Sequence, residues 1–406
     1  MSIQSDVRLK GKDRLIHIAT VNELNSESGQ GYRLHQLVSN MARECSIHLL
    51  APGTESTDNP PGGLVHEILD PGTGLNAFVG NPFSIGRMGT FMRLIFRLRA
   101  FLKDARVLYT DTPLALLCAQ ISAPGRPRVM EINGILCEEW LNKGRIKHRQ
   151  DIRFKIMRQI EAFTYRNARH LIAVSPGIRD YVTKEFRVNP LRVTVIPNGI
   201  NEGLLETPLE GKSSDPELGN TPPTALFVGS FRSWHGIENV IRSLPYALES
   251  VSNLRLLLVG DGPTRQECTE LVRSLGLQDS VEFTGHQIPA QVAAHLAAAD
   301  LCVYYPAYDV TNYGFMGDPI KLREYMAAGK PIVTICLPNF ASEIEKENCG
   351  VLVAPDYRLF GEAMAAVVEA PARSGRLGLN GRNAARKFVW GTISSQILDV
   401  INEAAG

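Results

Sequence analysis

Twice along the chain, short apolar runs alternate with stretches of helical period, and this alternation limits the fold more than any other feature of the sequence. In the first half RLIHIAT (14–20), SIHLLAP (46–52), VLYTD (107–111), RVMEIN (128–133), HLIAVS (170–175) and VTVIPNG (193–199) read as strands. In the second half ALFVGS (225–230), LRLLLVGDG (254–262), VEFTG (281–285), LCVYYP (301–306), PIVTI (331–335) and GVLVAP (350–355) do the same. Strands that are apolar almost throughout, with helices between them, belong to parallel sheets covered on both faces. Each half is therefore expected to form a doubly wound, Rossmann-like α/β domain, and 406 residues give room for two. The aperiodic, Pro-, Gly- and acid-rich stretch 201–223 separates them. The expected domains are 1–205 and 206–406, with the last helix crossing back onto the first. Sheets of this kind bind ligands at the carboxyl ends of their strands, so two facing each other would hold a ligand in the cleft.

Composition removes several classes. With 44% apolar and 21% charged residues the chain can build full cores. Its seven cysteines form no CxxC pair and no His/Cys spacing of a metal site, which suits a reduced compartment better than a disulfide framework. No apolar run reaches the ~18 residues of a membrane span, and no signal-like segment opens the sequence, so a cytoplasmic location is expected. The net charge is only +1, yet residues 1–200 carry 27 Lys/Arg against 18 Asp/Glu, and residues 201–406 carry 16 against 24. The basic half is expected to face something anionic. Segments 86–104 and 143–159 mix apolar residues with arginines and lysines, as a basic amphipathic helix on the inner face of an anionic membrane would. The alternative for each segment is a core helix with a solvated basic face. No nucleic acid is expected among the partners.

Chemistry concentrates in GDPIKLREYMAAGKPIVT (317–334). Asp318 reads as a helix N-cap and Pro319 as the first helical residue. The free N–H groups of such a start attract anions, and Lys321 adds a full charge. Glu324, one turn on, can accept the two protons of a ribose diol. FVGSFRSWHGIENVIRSL (227–244) runs from strand through a glycine turn at Gly229 to a helix, placing Arg232 and His235 where a diphosphate would sit. LLLVGDGPTRQE makes the same strand-turn-helix passage at Gly260. In EINGILCEEW, Asn133 ends a strand among Glu131, Glu138 and Glu139. Asn133 can hydrogen-bond a sugar, and Glu139 can orient an acceptor hydroxyl or act as base; a solvated acidic loop is the alternative. Gly29 and Gly31, ahead of the first helix, would let backbone N–H groups approach a phosphate.

Taken in order, SGQGYRLHQLV, EINGILCEEW, HLIAVSPGIRDYV, VTVIPNGI, FVGSFRSWHG, LLLVGDGP, VEFTGHQI and KLREYMAAGKPIV resemble glycosyltransferase family 4 from about Leu15 onward. Within that family the chain is similar to a subgroup with a GSFRxWHG turn and a PxKLxEYMAAG helix. The resemblance implies the GT-B fold and a retaining, metal-independent transferase without cofactor. Such an enzyme moves a sugar from a UDP- or GDP-linked donor to a hydroxyl of a glycan, a lipid-linked or a small-molecule acceptor, in polysaccharide, glycolipid or glycoconjugate synthesis. It implies that Glu324 binds the ribose, that Arg232, His235 and Lys321 share the diphosphate, and that Gln287 and Ile288 lie near the base. The chain departs from the family at Met316, where a first glutamate is usual, and at Ser230, where an arginine is usual. Two other readings follow from those departures and from the fold: a nucleotide-sugar-binding protein without catalysis, and a nucleotide-sugar epimerase.

Overall fold

The computed structural model describes residues 15–19, 29–52, 64–69, 95–96, 99–100, 102, 105–142, 144–207, 222–307, 317–336 and 340–406. Met316, most of 86–104 and the centre of the 201–223 stretch lie outside them. The chain divides into two compact units. The first holds residues 1–197 and 390–406 with the short piece 313–317, and the second holds 198–312 and 318–389.

Among the described residues of the first unit seven strands run parallel: β1 (Leu15–Ala19), β2 (Ser46–Pro52), β3 (Leu64–Leu69), β4 (Leu108–Thr110), β5 (Arg128–Ile132), β6 (His170–Ala173) and β7 (Val193–Val195). Their order is β3-β2-β1-β4-β5-β6-β7, with Ile18 of β1 registered against Leu49 on one side and Tyr109 on the other. Strand β3 escapes the sequence reading because LVHEIL, at the rim of the sheet, carries His66 and Glu67 in the middle of its run and breaks the all-apolar criterion.

Helices α1 (Gly29–Met41), α2 (Pro113–Ser122), α3 (Leu136–Asn142), α4 (Ile152–Arg166) and α5 (Pro176–Glu185) connect these strands, and the helix Trp390–Ala405 packs beside α1. The caps explain two of the starts. Thr112 accepts from the Ala115 N–H and Ser175 from the Ile178 N–H, each followed by proline at the first helical position. Met130, Ile132, Trp140, Phe154, Tyr165, Ile178 and Phe186 fill the core around β5 and β6.

The second unit repeats the plan with six strands among its described residues: β8 (Thr224–Val228), β9 (Arg255–Val259), β10 (Val281–Gly285), β11 (Leu301–Tyr304), β12 (Ile332–Ile335) and β13 (Gly350–Val353), ordered β10-β9-β8-β11-β12-β13 and all parallel. Between and after them come α6 (Ile237–Leu248), α7 (Arg265–Ser274), α8 (Pro289–Ala298), α9 (Ile320–Ala327), α10 (Ala341–Glu347), α11 (Tyr357–Glu369) and α12 (Pro371–Ala385). In each sheet the winding reverses between the first and fourth strands, β1/β4 and β8/β11, and such a reversal opens a crevice at the strand ends.

Candidate functional site

The β8/β11 reversal carries the most unusual side chain of the second unit. Lys321, in the first turn of α9, lays its ammonium 4.4 Å from the ring centre of Phe227 on β8 and 4.9 Å from that of Tyr304 on β11. The Nζ atom is buried and has no hydrogen-bond partner among the described residues. Aromatic faces offset part of the cost of stripping an ammonium of water, but they satisfy none of its three N–H donors. Burial pushes the Lys321 pKa down to about 7, with Glu324 partly opposing. Glu324, three residues on, is pushed up to about 7 by burial, with Lys321 partly opposing. The Tyr325 hydroxyl accepts the N–H of Val228 at 2.9 Å and pins α9 to the end of β8.

Glycine is required where β8 ends. Gly229 has φ +150°, and a Cβ there would stand 2.6 Å from Lys321 Nζ. At the end of β9, Gly260 (φ +131°) presses against the Gly229 carbonyl, where a Cβ would overlap the oxygen. After Gly229 the chain makes a single 3-10 turn, Ser233–His235. His235 Nδ1 lies 2.5 Å from the Ser230 carbonyl oxygen, so that nitrogen carries the proton and donates, leaving Nε2 as an acceptor. Burial, with the charges of Lys321 and Arg232, pushes the His235 pKa down to about 3, the Ser230 carbonyl partly opposing. The imidazole is therefore neutral rather than the cation expected of the sequence, with Nε2 left as an acceptor. Arg232 is exposed, its guanidinium 5.7 Å from the Trp234 ring centre.

Asp318 corrects a second expectation. The cap of α9 is Pro319, and Asp318 stands one residue outside the helix. Its buried carboxylate takes Arg323 Nε and Nη2 at 2.8–3.0 Å and the Asn198 N–H at 2.6 Å. A carboxylate so committed holds α9 in place. Gln287 donates to the Thr284 carbonyl, and Ile288, exposed, precedes α8.

In the first unit a buried network lies beside the β1/β4 reversal. Glu131, near the end of β5, receives Arg33 Nε and Nη2 at 2.7 Å each and the Tyr109 hydroxyl at 2.6 Å. Burial alone would raise the Glu131 pKa, but Arg33 and the hydrogen bonds outweigh it and hold the carboxyl below its ordinary value. Arg33 also donates to the Pro197 carbonyl at 3.0 Å. Asn133 donates through Nδ2 to Glu131 at 2.9 Å, which orients the amide just past the strand end. Glu139 folds over Gly134, where a Cβ would collide with its carboxylate oxygen. The stretch is not a solvated acidic loop: Glu131 and Glu138 are both buried, the latter with Arg149 and Tyr181. Gly31 belongs to the first turn of α1, which starts at Gly29, rather than to a loop ahead of it.

Arg33 and Arg323 are the residues the sequence reading passed over. A signal existed for the first, because Arg33 falls on the buried stripe of α1 with Leu37 and Met41, and Glu131 is the acid of β5, a strand buried throughout. Opposite charges on two such buried surfaces are each other's natural partners.

The fold belongs to the GT-B architecture. Sucrose-phosphate synthase of Thermosynechococcus elongatus superposes with a TM-score of 0.72 at 20% identity, over 96% of this chain and 99% of that one. Anabaena Alr3699/HepE, solved in complex with UDP and glucose, gives 0.71 at 17%, over 95% and 99%. More narrowly, residues 28–203 match the family model of Glycosyltransferase Family 4, and residues 222–370 match that of Glycosyl transferases group 1. Phosphatidyl-myo-inositol mannosyltransferase of Mycobacterium leprae is 30% identical over 215 residues, 52% of this chain and 53% of that protein. A D-inositol 3-phosphate glycosyltransferase of Actinosynnema mirum is 27% identical over 249 residues, 58% of each. The matched region spans little more than half the length of these relatives.

Proposed function

We propose that the chain transfers a sugar, with retention at the anomeric carbon, from a UDP- or GDP-linked donor to a hydroxyl of a glycan, lipid-linked or small-molecule acceptor. The observation that carries this reading is the Lys321 ammonium, buried at the β8/β11 reversal without an acceptor among the described residues. A diphosphate supplies the missing acceptor oxygens, and the α9 N-terminus adds its own N–H groups. As the glycosidic bond breaks, charge builds on the departing diphosphate. Cations already in place lower that barrier, and here Lys321 and Arg232 take the part a metal ion plays elsewhere. Glu324 receives the ribose diol, Gly229 and Gly260 keep the turn beside the donor packed tightly against Lys321 and against each other, and Gln287 and Ile288 stand near the base. The Nε2 of neutral His235 accepts from a sugar hydroxyl. On the acceptor side, Asn133 contacts sugar and Glu139 orients the incoming hydroxyl. The family domains matched by both units support a transferase, and the mannosyl- and glycosyltransferase relatives support a hexosyl donor. We place the activity on the cytoplasmic side.

Thermal stabilisation by UDP, GDP, ADP and TDP, followed by transfer assays with the sugar of the stabilising nucleotide, tests the reading. Stabilisation that is lost in Lys321→Met, together with transfer in the wild type, is the expected outcome. Binding without transfer or donor hydrolysis would replace it with a non-catalytic binding protein, and an epimerised donor with an epimerase.

A further inference from the structure

Two basic segments far apart in the sequence meet on the same helix. Near the carboxyl end of α2, Ser122 Oγ donates to the Ile95 carbonyl at 3.0 Å and Gln120 Nε2 donates to the Thr164 carbonyl at 3.0 Å. The residue between them, Ile121, faces solvent, as do Phe96 beside Ile95 and Phe163 beside Thr164. Along α4, Ile152, Ile156 and Phe163 recur at spacings of four and seven, which keeps them on one stripe of the helix. These five apolar side chains are between 37% and 65% exposed. The remaining exposed positions of α4 are Arg153, Lys155, Gln159 and Arg166, with no acid among them, because its single glutamate, Glu161, is buried under α3. Helix α2 carries no charged residue, and Arg99 is exposed three residues after Phe96.

We infer that Phe96, Ile121 and the outer stripe of α4 form a docking face for an anionic phospholipid bilayer. Apolar side chains flanked by Lys155, Arg166 and Arg99, with Arg153 paired to the capping Asp151 at 2.6 Å, suit the boundary where acyl chains meet phosphate headgroups. A second copy of the chain is a poor occupant, since a two-fold contact would set arginine against arginine. Among the described residues no helix is long and apolar enough to cross a membrane. The inference does not depend on the donor reading: it concerns the first unit alone, and its readout is lipid binding.

The test is co-sedimentation of the full chain with vesicles of phosphatidylglycerol or of phosphatidylcholine. Wild type is expected to pellet with the acidic vesicles at low salt and with the neutral ones hardly at all. Raising the salt to ~1 M, where the Debye length falls to ~3 Å, should release most of it. The double variants Ile121→Ser/Phe163→Ser and Arg153→Ser/Lys155→Ser change exposed residues only. Each should bind about tenfold more weakly, with circular dichroism and melting midpoint unaltered. Wild type that prefers neither lipid, or variants that pellet as it does, would overturn the inference. So would lipid-free dimers that Ile121→Ser/Phe163→Ser dissociates, which would give the face to a second copy.

Discussion

The ammonium of Lys321 lies so close to the backbone of Gly229 that a Cβ on that glycine would stand 2.6 Å from Nζ. Nζ is the far end of a flexible side chain, so Gly229→Ala would displace the lysine rather than unfold the unit. The added strain at φ +150° is about 1–3 kcal/mol. Turnover is expected to fall at least tenfold in Gly229→Ala and about 100-fold or more in Lys321→Met, as for removal of one preorganised donor group. Steady-state kinetics beside urea unfolding separates the two effects. Wild-type turnover in Lys321→Met would place the phosphate site elsewhere.

A proton should accompany the donor. Burial holds Lys321 at about 7, and a bound diphosphate favours the ammonium, so binding above that pH takes up a proton. Donor-nucleotide affinity is then expected to fall as pH rises above 7, approaching tenfold per unit. Without ligand the signs run differently. The folded pKa of Lys321 lies below its unfolded value of about 10.4, so its contribution to stability rises with pH between about 7 and 10. Glu324 has its folded pKa raised from 4.5 to about 7, so its contribution falls as pH rises through that interval. Glu324→Gln removes the charge that supports the Lys321 proton and should move the affinity decline to lower pH, besides weakening ribose binding by about 1–3 kcal/mol. Calorimetry of UDP and GDP binding at pH 8, in buffers of different ionisation enthalpy, counts the protons. An uptake of zero would remove the linkage.

What could be read from the sequence, and what could not, divides by range. The strands of both sheets were legible because burial on two faces leaves them nearly all apolar, and only rim strand β3, interrupted by His66 and Glu67, escaped. Lys321 and Glu324 were legible as a pair because three helical residues bring them to one face. Asp318 was misread because a capping aspartate and one held by Arg323 look alike in sequence, and its other partner, Asn198, is 120 residues away. The neutral state of His235 was equally hidden, since it follows from burial beside Lys321 and Arg232, while the carbonyl five residues back fixes only which ring nitrogen keeps the proton.

Arg33 and Glu131, 98 residues apart, should be worth more together than either is alone. Arg33→Met strands a buried carboxylate with only Tyr109 and Asn133 for company, and should cost about 3–5 kcal/mol. Tyr109→Phe removes one hydrogen bond to a charged acceptor, about 1.5–3 kcal/mol. Asn133→Ala leaves the ion pair intact and should spare stability and nucleotide binding while lowering transfer. Denaturation midpoints and kcat, measured on all three, check the ordering. Full transfer by Asn133→Ala would leave the network a purely structural one.

Arg323 ties together the segments where the second unit begins, resumes and ends. It grips Asp318, the residue at which the unit resumes, and through Asp318 holds Asn198, at which it begins. Its guanidinium also lies 3.9 Å from the ring centre of Phe388, one residue before the unit ends, and the Phe388 carbonyl accepts the Ile200 N–H. Nη1 and Nη2 reach Glu343 at 3.3 and 3.1 Å. A fork that serves two carboxylates and an aromatic face cannot be replaced by a point charge. Arg323→Met is expected to lose about 3–5 kcal/mol, because it leaves the Asp318 carboxylate buried without its cation. Arg323→Lys should lose less, and Arg323→Met combined with Asp318→Asn should recover part of the loss, since no charge is then stranded. The same change loosens the helix that carries Lys321, so donor KM should rise in Arg323→Lys even at temperatures where the protein is fully folded. Urea unfolding and donor kinetics on these variants test both halves of the prediction. An unchanged KM in a destabilised Arg323→Lys would confine Arg323 to holding the unit together.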